Sequence, residues 1–346
     1  MSSESDIFIF NESEKIFCRG KPLKKVVLWH ITNNCNQECK YCYGSFDGTS
    51  YKKKFRKDKE VPLESMLLAI DDFKEFGFKR IHIGGGEPLL RTNEEIWEFL
   101  EYIRKKDMES FVLSNLTNLP DYFEEYFISN IFNNFSFSLD SLDEEKNDYL
   151  RGNTNKIINN IKEVLKIKEK YDVKTEIGLY VVATQKNIFD LENLINWART
   201  IGINFITIQL VYLPKNHTHY DDLVIREDEH KKYLISFFEK LEKMNDYFKI
   251  PGNLLLDLNK RFLKGEKMFV KNCFCGESFL FVDGEGNVKR CPAKKLNNEI
   301  LGNISEKRLR DFIKLKEYKN EVCKDFSLDC VCLWETVFPS TFELKI

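Results

Sequence analysis

Three thiols lie within one short run: Cys35-Asn-Gln-Glu-Cys39-Lys-Tyr-Cys42, a C-x3-C-x2-C spacing. Thiolates this close in the chain can wrap one small metal centre. Around a four-iron cluster they leave one iron without a protein ligand, and that open position can take a substrate or cofactor. A three-thiolate zinc knuckle would use the same residues, and the spacing admits both. A second run, Gly84-Gly85-Gly86-Glu87-Pro88, follows a strand-like segment. Its glycines let another group approach the backbone closely. Glu87 adds a carboxylate, and Pro88 fixes the exit direction.

The ten cysteines of the chain are segregated. Beyond the first three, Cys273, Cys275, Cys291, Cys323, Cys330 and Cys332 lie near the end, and Cys18 stands alone. None falls between Cys42 and Cys273. In an exported protein an even count suggests disulfides, whereas clustered cysteines in a reducing compartment bind metal or do redox work. The segregation predicts two separate metal centres.

These residues must be positioned by what lies between them, which alternates strand-like and helix-like segments. Strands are predicted at 23–32, 79–86, 110–115, 135–140, 174–183 and 204–213. PLESMLLAIDDFKEFG carries Pro62 at its first turn and Gly77 past its end, a helix signature. Thr92 and Glu95 read as a capping box for the helix over 93–108. Further helices are expected over 120–129, 155–171 and 189–202. Six β-then-α steps suit right-handed crossovers in a parallel sheet. The fold class is therefore α/β, and the alternation alone fits an open doubly wound sheet, a barrel or a partial barrel. In each, functional residues gather at the C-terminal ends of strands. Cys35, Gly84 to Glu87, Asn115 and Asp140 all fall there. A helix is predicted over 226–246 after the polar loop HTHYDD, and SFLFVDGEGNVKRC reads as a β-hairpin. A charged helix at about 305–318 and a cysteine-rich tail complete the chain. His30 and His82 read as packed strand residues, and His217 and His219 as solvated loop residues.

Composition bounds the partners. The chain has 346 residues, 42% apolar and 31% charged, with 29 Phe for a core and a formal net charge of −2. Nothing in that balance asks for nucleic acid or an anionic membrane. No apolar run reaches the roughly 20 residues of a membrane span. The acidic, polar start lacks a signal peptide, so a cytoplasmic location is expected.

The cysteine triple together with the GGGEP run resembles the radical S-adenosylmethionine (SAM) superfamily, over about residues 24–215. The resemblance implies a partial (β/α)6 TIM-like barrel with a [4Fe–4S] cluster on Cys35, Cys39 and Cys42, and SAM on the open iron. The backbone of Gly85, Gly86 and Glu87 then meets the SAM amino group, and Tyr41 takes the aromatic position near the adenine. FSFSLDSLDEEKNDYLRG resembles the fourth-strand segment of the family. It places Ser138 as a ribose-binding serine and Arg151 as a partner of the SAM carboxylate, a task suited to a guanidinium. LSNLTN resembles a third-strand T-N-G pattern, with Asn115 retained and Leu116 where the family has Gly.

The C-terminal cysteines resemble the SPASM/twitch extension of that superfamily, whose Cys-spacer-G-x4-C signature matches Gly286 to Cys291. The full SPASM tail is not intact, and six cysteines cannot supply eight ligands. One auxiliary [4Fe–4S] cluster is expected, drawn from Cys275, Cys291, Cys323, Cys330 and Cys332, with Cys273 spare. The implied organisation is an N-terminal segment (1–23), the radical SAM partial barrel (24–225), a helical bridge (226–260) and the SPASM/twitch extension (261–346).

Such an enzyme splits SAM reductively and abstracts a substrate hydrogen through a 5′-deoxyadenosyl radical, with electrons from a donor such as flavodoxin or ferredoxin. A ribosomally made peptide is the expected substrate, to be crosslinked, epimerised or oxidised. A small-molecule or cofactor-biosynthesis intermediate is the alternative, and a zinc-binding interaction module is the non-enzyme alternative. About 23 residues precede the first strand, too few for a winged-helix leader-binding domain, so a separate recognition protein would serve a peptide substrate. Two clusters predict about eight iron atoms per chain after anaerobic purification, and about four in a Cys35/Cys39/Cys42→Ala variant. Iron and sulfide analysis checks both values.

Overall fold

The computed structural model describes residues 8–11, 16–19, 25–42, 57–91, 93–244, 253–266, 269–271, 276, 279–292 and 300–313. Two short strands, β1 (Phe8–Asn11) and β2 (Ile16–Arg19), pair antiparallel. Then come β3 (Lys25–Thr32), α1 (Leu63–Glu75), β4 (Phe78–Gly85), α2 (Asn93–Lys105) and β5 (Glu109–Ser114). α3 (Phe123–Ile128), β6 (Asn134–Ser138), α4 (Glu144–Leu150), α5 (Thr154–Lys170) and β7 (Glu176–Ala183) follow. α6 (Leu191–Thr200), β8 (Phe205–Leu210), α7 (Tyr220–Leu223), α8 (Asp228–Glu242) and α9 (Asn253–Leu263) continue the chain. β9 (Phe269–Lys271), β10 (Phe279–Val282), β11 (Asn287–Lys289) and β12 (Gly302–Asn303) come last.

β3 to β8 lie side by side in chain order, every neighbouring pair parallel. This is the expected partial barrel: six strands and an unclosed sheet. Strand alternation sorts the side chains. Val27, Trp29 and Ile31 of β3 join Phe73 and Phe99 of the helices in the main core, with Trp29 edge-on to both rings. Ile81 and Ile83, Phe135 and Phe137, and Leu179 and Val181 do the same on their strands. The alternate residues, among them Leu28, His30, His82, Ser138 and Tyr180, take the opposite, concave face.

That face is closed at one level by aromatic packing. A Cβ on Gly178 would stand 2.0 Å from Phe205 Cζ and 2.6 Å from Ser136 Oγ. The missing side chain of Gly178 is what admits the Phe205 ring. Arg80 of β4 and Glu109 of β5 pair across their strands, 2.6 Å apart.

The C-terminal hairpin forms as expected, with β10 and β11 antiparallel. Its place was not expected. β10 pairs parallel with β3, so the hairpin extends the barrel sheet at its first edge, and β12 adds one strand more. The charged helix expected at about 305–318 is corrected: within the described residues that stretch holds only a single 3-10 turn, Leu309–Asp311. The reason lies in Arg308 and Arg310, which reach back to the buried carboxylate of Asp72 on α1. Arg308 Nε donates to Asp72 Oδ2 at 3.0 Å and Arg310 Nε to Oδ1 at 2.7 Å. Two guanidiniums two residues apart cannot both point one way on an α-helix. Thr92 lies outside the described residues, and Glu95 pairs with Arg91 at 3.2 Å.

Burial alone would raise the Asp72 pKa, but the hydrogen bonds from Arg308 and Arg310 hold it below the ordinary carboxylate value. A depressed pKa gives stability that is complete above the unfolded value, about 3.9, and is lost as pH falls through the folded value. Asp72→Asn is therefore expected to be less stable than the parent by a constant margin above about pH 5, with the margin narrowing below about pH 4. Urea denaturation of both proteins across pH 3–7 measures it.

Candidate functional site

The three cysteines occupy the loop that leaves β3. Cys35, Cys39 and Cys42 are all half-buried thiols. The loop is tied down on two sides. On one side Gly86 N–H donates to Thr32 O at 2.9 Å and Glu87 N–H to Asn34 O at 2.7 Å. The approach is too close for a side chain, since a Cβ on Gly86 would lie 2.1 Å from Asn34 O. A Cβ on Gly85, whose φ is +122°, would lie 2.5 Å from Thr32 O. The glycine run is thus required by the cysteine loop itself. On the other side Lys40 N–H donates to Leu150 O at 3.0 Å, and Gln37 Nε2 to Gly152 O at 3.3 Å.

Glu87 is buried and braces two strand ends. Its carboxylate accepts from Leu89 N (3.1 Å), Ser114 Oγ (2.8 Å) and Asn115 N (2.6 Å). Burial pushes its pKa up to about 7, against the downward pull of those three donors. Asn115 in turn donates from Nδ2 to Asn36 Oδ1 at 2.8 Å and lies 3.9 Å from Cys35 Sγ. Leu116, where the resembling pattern has Gly, keeps the glycine-like backbone: its φ is +51° and its side chain is fully buried.

Deeper in the site, three residues far apart in sequence meet. The Tyr41 hydroxyl donates to Asp140 Oδ2. Arg151 Nε lies 3.0 Å from the same Asp140 oxygen and 3.1 Å from the Tyr41 hydroxyl. Asp140 Oδ1 accepts from Val182 N at 2.8 Å. Asp140 is 0% and Arg151 7% exposed at their side chains, so the pair is sealed from water. Burial would lower the Arg151 pKa, but Asp140, Tyr41 and Cys39 raise it, so the guanidinium stays charged. Its Nη1 is buried without a hydrogen-bond partner among the described residues. The Tyr41 ring packs with Leu150, Val211, Leu213 and Leu223. Ser138 ends β6, half-buried on the concave face.

Burial raises the Cys35 thiol to about pKa 11 and raises that of Cys39 as well. A bound metal centre would have to displace those protons. Among the described residues, no three His, Cys, Asp or Glu side chains converge as one metal ion requires. Zinc needs that convergence, with donors about 2.0–2.3 Å from a single centre. A four-iron cluster would take each thiolate on a different iron, and the three thiols lie in order along one strapped loop.

Of the auxiliary pool, Cys291 is buried just after the hairpin. Cys273, Cys275, Cys323, Cys330 and Cys332 lie outside the described residues. His30 is half-buried and edge-on to Phe281, its pKa lowered to about 4 by desolvation. His82 lies against Phe111, its pKa far below the ordinary value for the same reason. Both are packed strand residues, as expected. His217 and His219 face each other across 5.8 Å in the loop after β8.

With this geometry in view, the relatives agree. Residues 29–198 match the Radical SAM superfamily. An AdoMet-dependent heme synthase of Nitratidesulfovibrio vulgaris is 22% identical over 285 residues, 79% of this chain and 74% of that protein. A GTP 3′,8-cyclase of Clostridium perfringens (strain SM101) is 25% identical over 315 residues, 86% of this chain and 91% of that protein. Among solved structures, Streptococcus suis SuiB superposes with a TM-score of 0.63 at 15% identity, covering 89% of this chain and 68% of SuiB. The chain belongs to the radical SAM superfamily.

Sequence reasoning missed Asp140's central place. The sequence places Asp140 at a strand end, but no local pattern says that its carboxylate meets residues 99 positions before it and 11 after. The left-handed turn at Leu116 costs about 1–2 kcal/mol for a non-glycine residue, while emptying a fully buried leucine site costs about 2–5 kcal/mol. Leu116→Gly is therefore expected to destabilise the chain, by about 1–3 kcal/mol, although it restores the family's residue. Thermal or urea unfolding decides the sign.

Proposed function

We propose that Cys35, Cys39 and Cys42 hold the SAM-cleaving [4Fe–4S] cluster, and that the chain modifies a ribosomally made peptide. When bound, the cluster supplies the electron that splits SAM into methionine and a 5′-deoxyadenosyl radical, which takes a hydrogen atom from the substrate. The single observation that carries the reading is the double anchorage of the cysteine loop, to Gly86 and Glu87 on one side and to Leu150 and Gly152 on the other. Three thiols held in that way at the mouth of a partial barrel are preorganised for a cluster with one open iron.

The chain's own residues then divide the work of holding SAM. The N–H groups of Gly86 and Glu87 are committed to the cysteine loop, so the run from Gly85 to Glu87 meets an ammonium group through its acceptors. Arg151 offers the unpartnered Nη1 to a carboxylate. Asn115 and Ser138 border the same opening from β5 and β6, and Tyr41 anchors the loop from below. Residues 24–225 form the catalytic barrel. Residues 261–346 form a SPASM/twitch-type extension, with one auxiliary cluster drawn from Cys275, Cys291, Cys323, Cys330 and Cys332. A flavodoxin or ferredoxin serves as electron donor, and the setting is cytoplasmic. Among the described residues no helix is long and apolar enough to cross a membrane.

For the peptide reading, the supporting observation is the likeness to SuiB, which is also known bound to its precursor peptide SuiA. The second reading, a small-molecule substrate, is favoured by the GTP 3′,8-cyclase and heme synthase relatives. Deuterium transfer separates them. A labelled peptide encoded beside this gene should pass deuterium to 5′-deoxyadenosine, whereas transfer only from GTP or a porphyrin would overturn the peptide reading.

The SAM-binding role of Arg151 has its own expected magnitude. A charge-assisted hydrogen bond to a carboxylate contributes about 1.5–3 kcal/mol, roughly ten- to a hundredfold in affinity. Arg151→Lys, which keeps a positive charge facing Asp140 but loses the Nη1 donor, should raise the SAM Kd by that factor at unchanged iron content, read by titrating SAM into the reconstituted variant. The Cys35/Cys39/Cys42→Ala variant should form no 5′-deoxyadenosine under reducing conditions, read by chromatography.

A further inference from the structure

The ion pair beneath the cysteine loop does more than hold a loop in place. Arg151 carries a full positive charge on a side chain only 7% exposed, and the Asp140 carboxylate lies 3.0 Å from it. The guanidinium stands under the loop between Cys39 and Cys42: Lys40 N–H donates to the O of Leu150, the residue before Arg151, Arg151 Nε lies 3.1 Å from the Tyr41 hydroxyl, and Cys39 packs against the same Tyr41–Leu150 cluster. Tyr41, between Cys39 and Cys42 in sequence, donates its hydroxyl to that carboxylate. A neutral hydrogen-bonded pair would have anchored Tyr41 equally well, so the anchor alone does not account for two buried charges.

Charge near an iron–sulfur centre sets its potential, together with hydrogen bonds to its sulfurs and its exposure to solvent. An unbalanced guanidinium beside a ligating sulfur stabilises the extra electron and makes the centre a weaker reductant. SAM cleavage calls for a strong one. We infer that Asp140 is a positioning and charge-balancing residue, which fixes Arg151 beside Cys39 and cancels its charge so that the centre held there keeps a low reduction potential. The inference rests on the reading that Cys35, Cys39 and Cys42 hold the SAM-cleaving cluster.

Reductive titration of the reconstituted full-length protein, without SAM and followed by the electron paramagnetic resonance signal that the Cys35/Cys39/Cys42→Ala variant lacks, tests it. Asp140→Asn keeps the side-chain shape and removes the negative charge. It should ease reduction by about tenfold, a positive shift of about 59 mV for one electron. The double variant Asp140→Asn/Arg151→Gln removes both charges and should return toward the parent potential. Tyr41→Phe removes a hydrogen bond from the same network but no charge, and should leave the potential in place. A purely structural role predicts another pattern: the double variant is at least as disturbed as the single, and Tyr41→Phe shifts with it. That pattern, or an unmoved potential in Asp140→Asn at full iron content, overturns the inference. Should Asp140→Asn not fold, the potential of Tyr41→Phe still decides, since any shift there counts against charge balance. A parent protein with no iron dependent on Cys35, Cys39 and Cys42 overturns the cluster reading itself.

Discussion

A carboxylate sealed from water is tolerable only if its charge is answered at once, and Asp140 is answered from three directions. Arg151 supplies the counter-charge, the Tyr41 hydroxyl a hydrogen bond, and the Val182 amide another. These partners belong to the cysteine loop, the turn after α4, and β7. One buried charge therefore fixes three separate parts of the chain to one point. Losing Arg151 would leave the Asp140 charge uncompensated, and losing the Tyr41 hydroxyl or the Val182 amide would cost that carboxylate a hydrogen bond.

The cysteine loop hangs from this point at one end and from the glycine run at the other. The two anchors differ in kind. Gly85 and Gly86 act by having no side chain, which lets Thr32 O and Asn34 O come within backbone contact. The Asp140 cluster acts through charge. A steric anchor does not respond to the electron count of what the loop holds, whereas an electrostatic one does. The site thus combines a rigid strap with a field, both supplied by strand ends of one parallel sheet, the usual place for function in such folds.

The rest of the architecture maintains that edge. Core side chains of β3 to β8 face the helices and fix the strand spacing, while Phe205 fills the space that Gly178 leaves on the other face. The C-terminal hairpin continues the sheet from β3, and Arg308 and Arg310 hold the segment behind it to Asp72 of α1. The hairpin is therefore registered to the strand from which the cysteine loop emerges. A displacement of one would be felt by the other through β3.

The sequence by itself determined the chemistry and the period. C-x3-C-x2-C, GGGEP and six β/α steps are local patterns, each set by residue type at fixed spacing, and all six strands formed within a few residues of their expected bounds. It also showed which strand ends should carry function. Only the tertiary structure decided who meets whom at that edge. Alternation tells which face a residue takes, not which residue from another strand stands opposite it. Hence Tyr41 and Arg151 could be assigned separate tasks from sequence and Asp140 placed at a strand end, while their union could not be read. The same holds for the Glu87 donors Ser114 and Asn115, and for the pairing of β10 with β3. Leu116 is the complementary case. Its residue type argued against a glycine-like turn, and the fold imposed one because burying the leucine outweighs the left-handed strain.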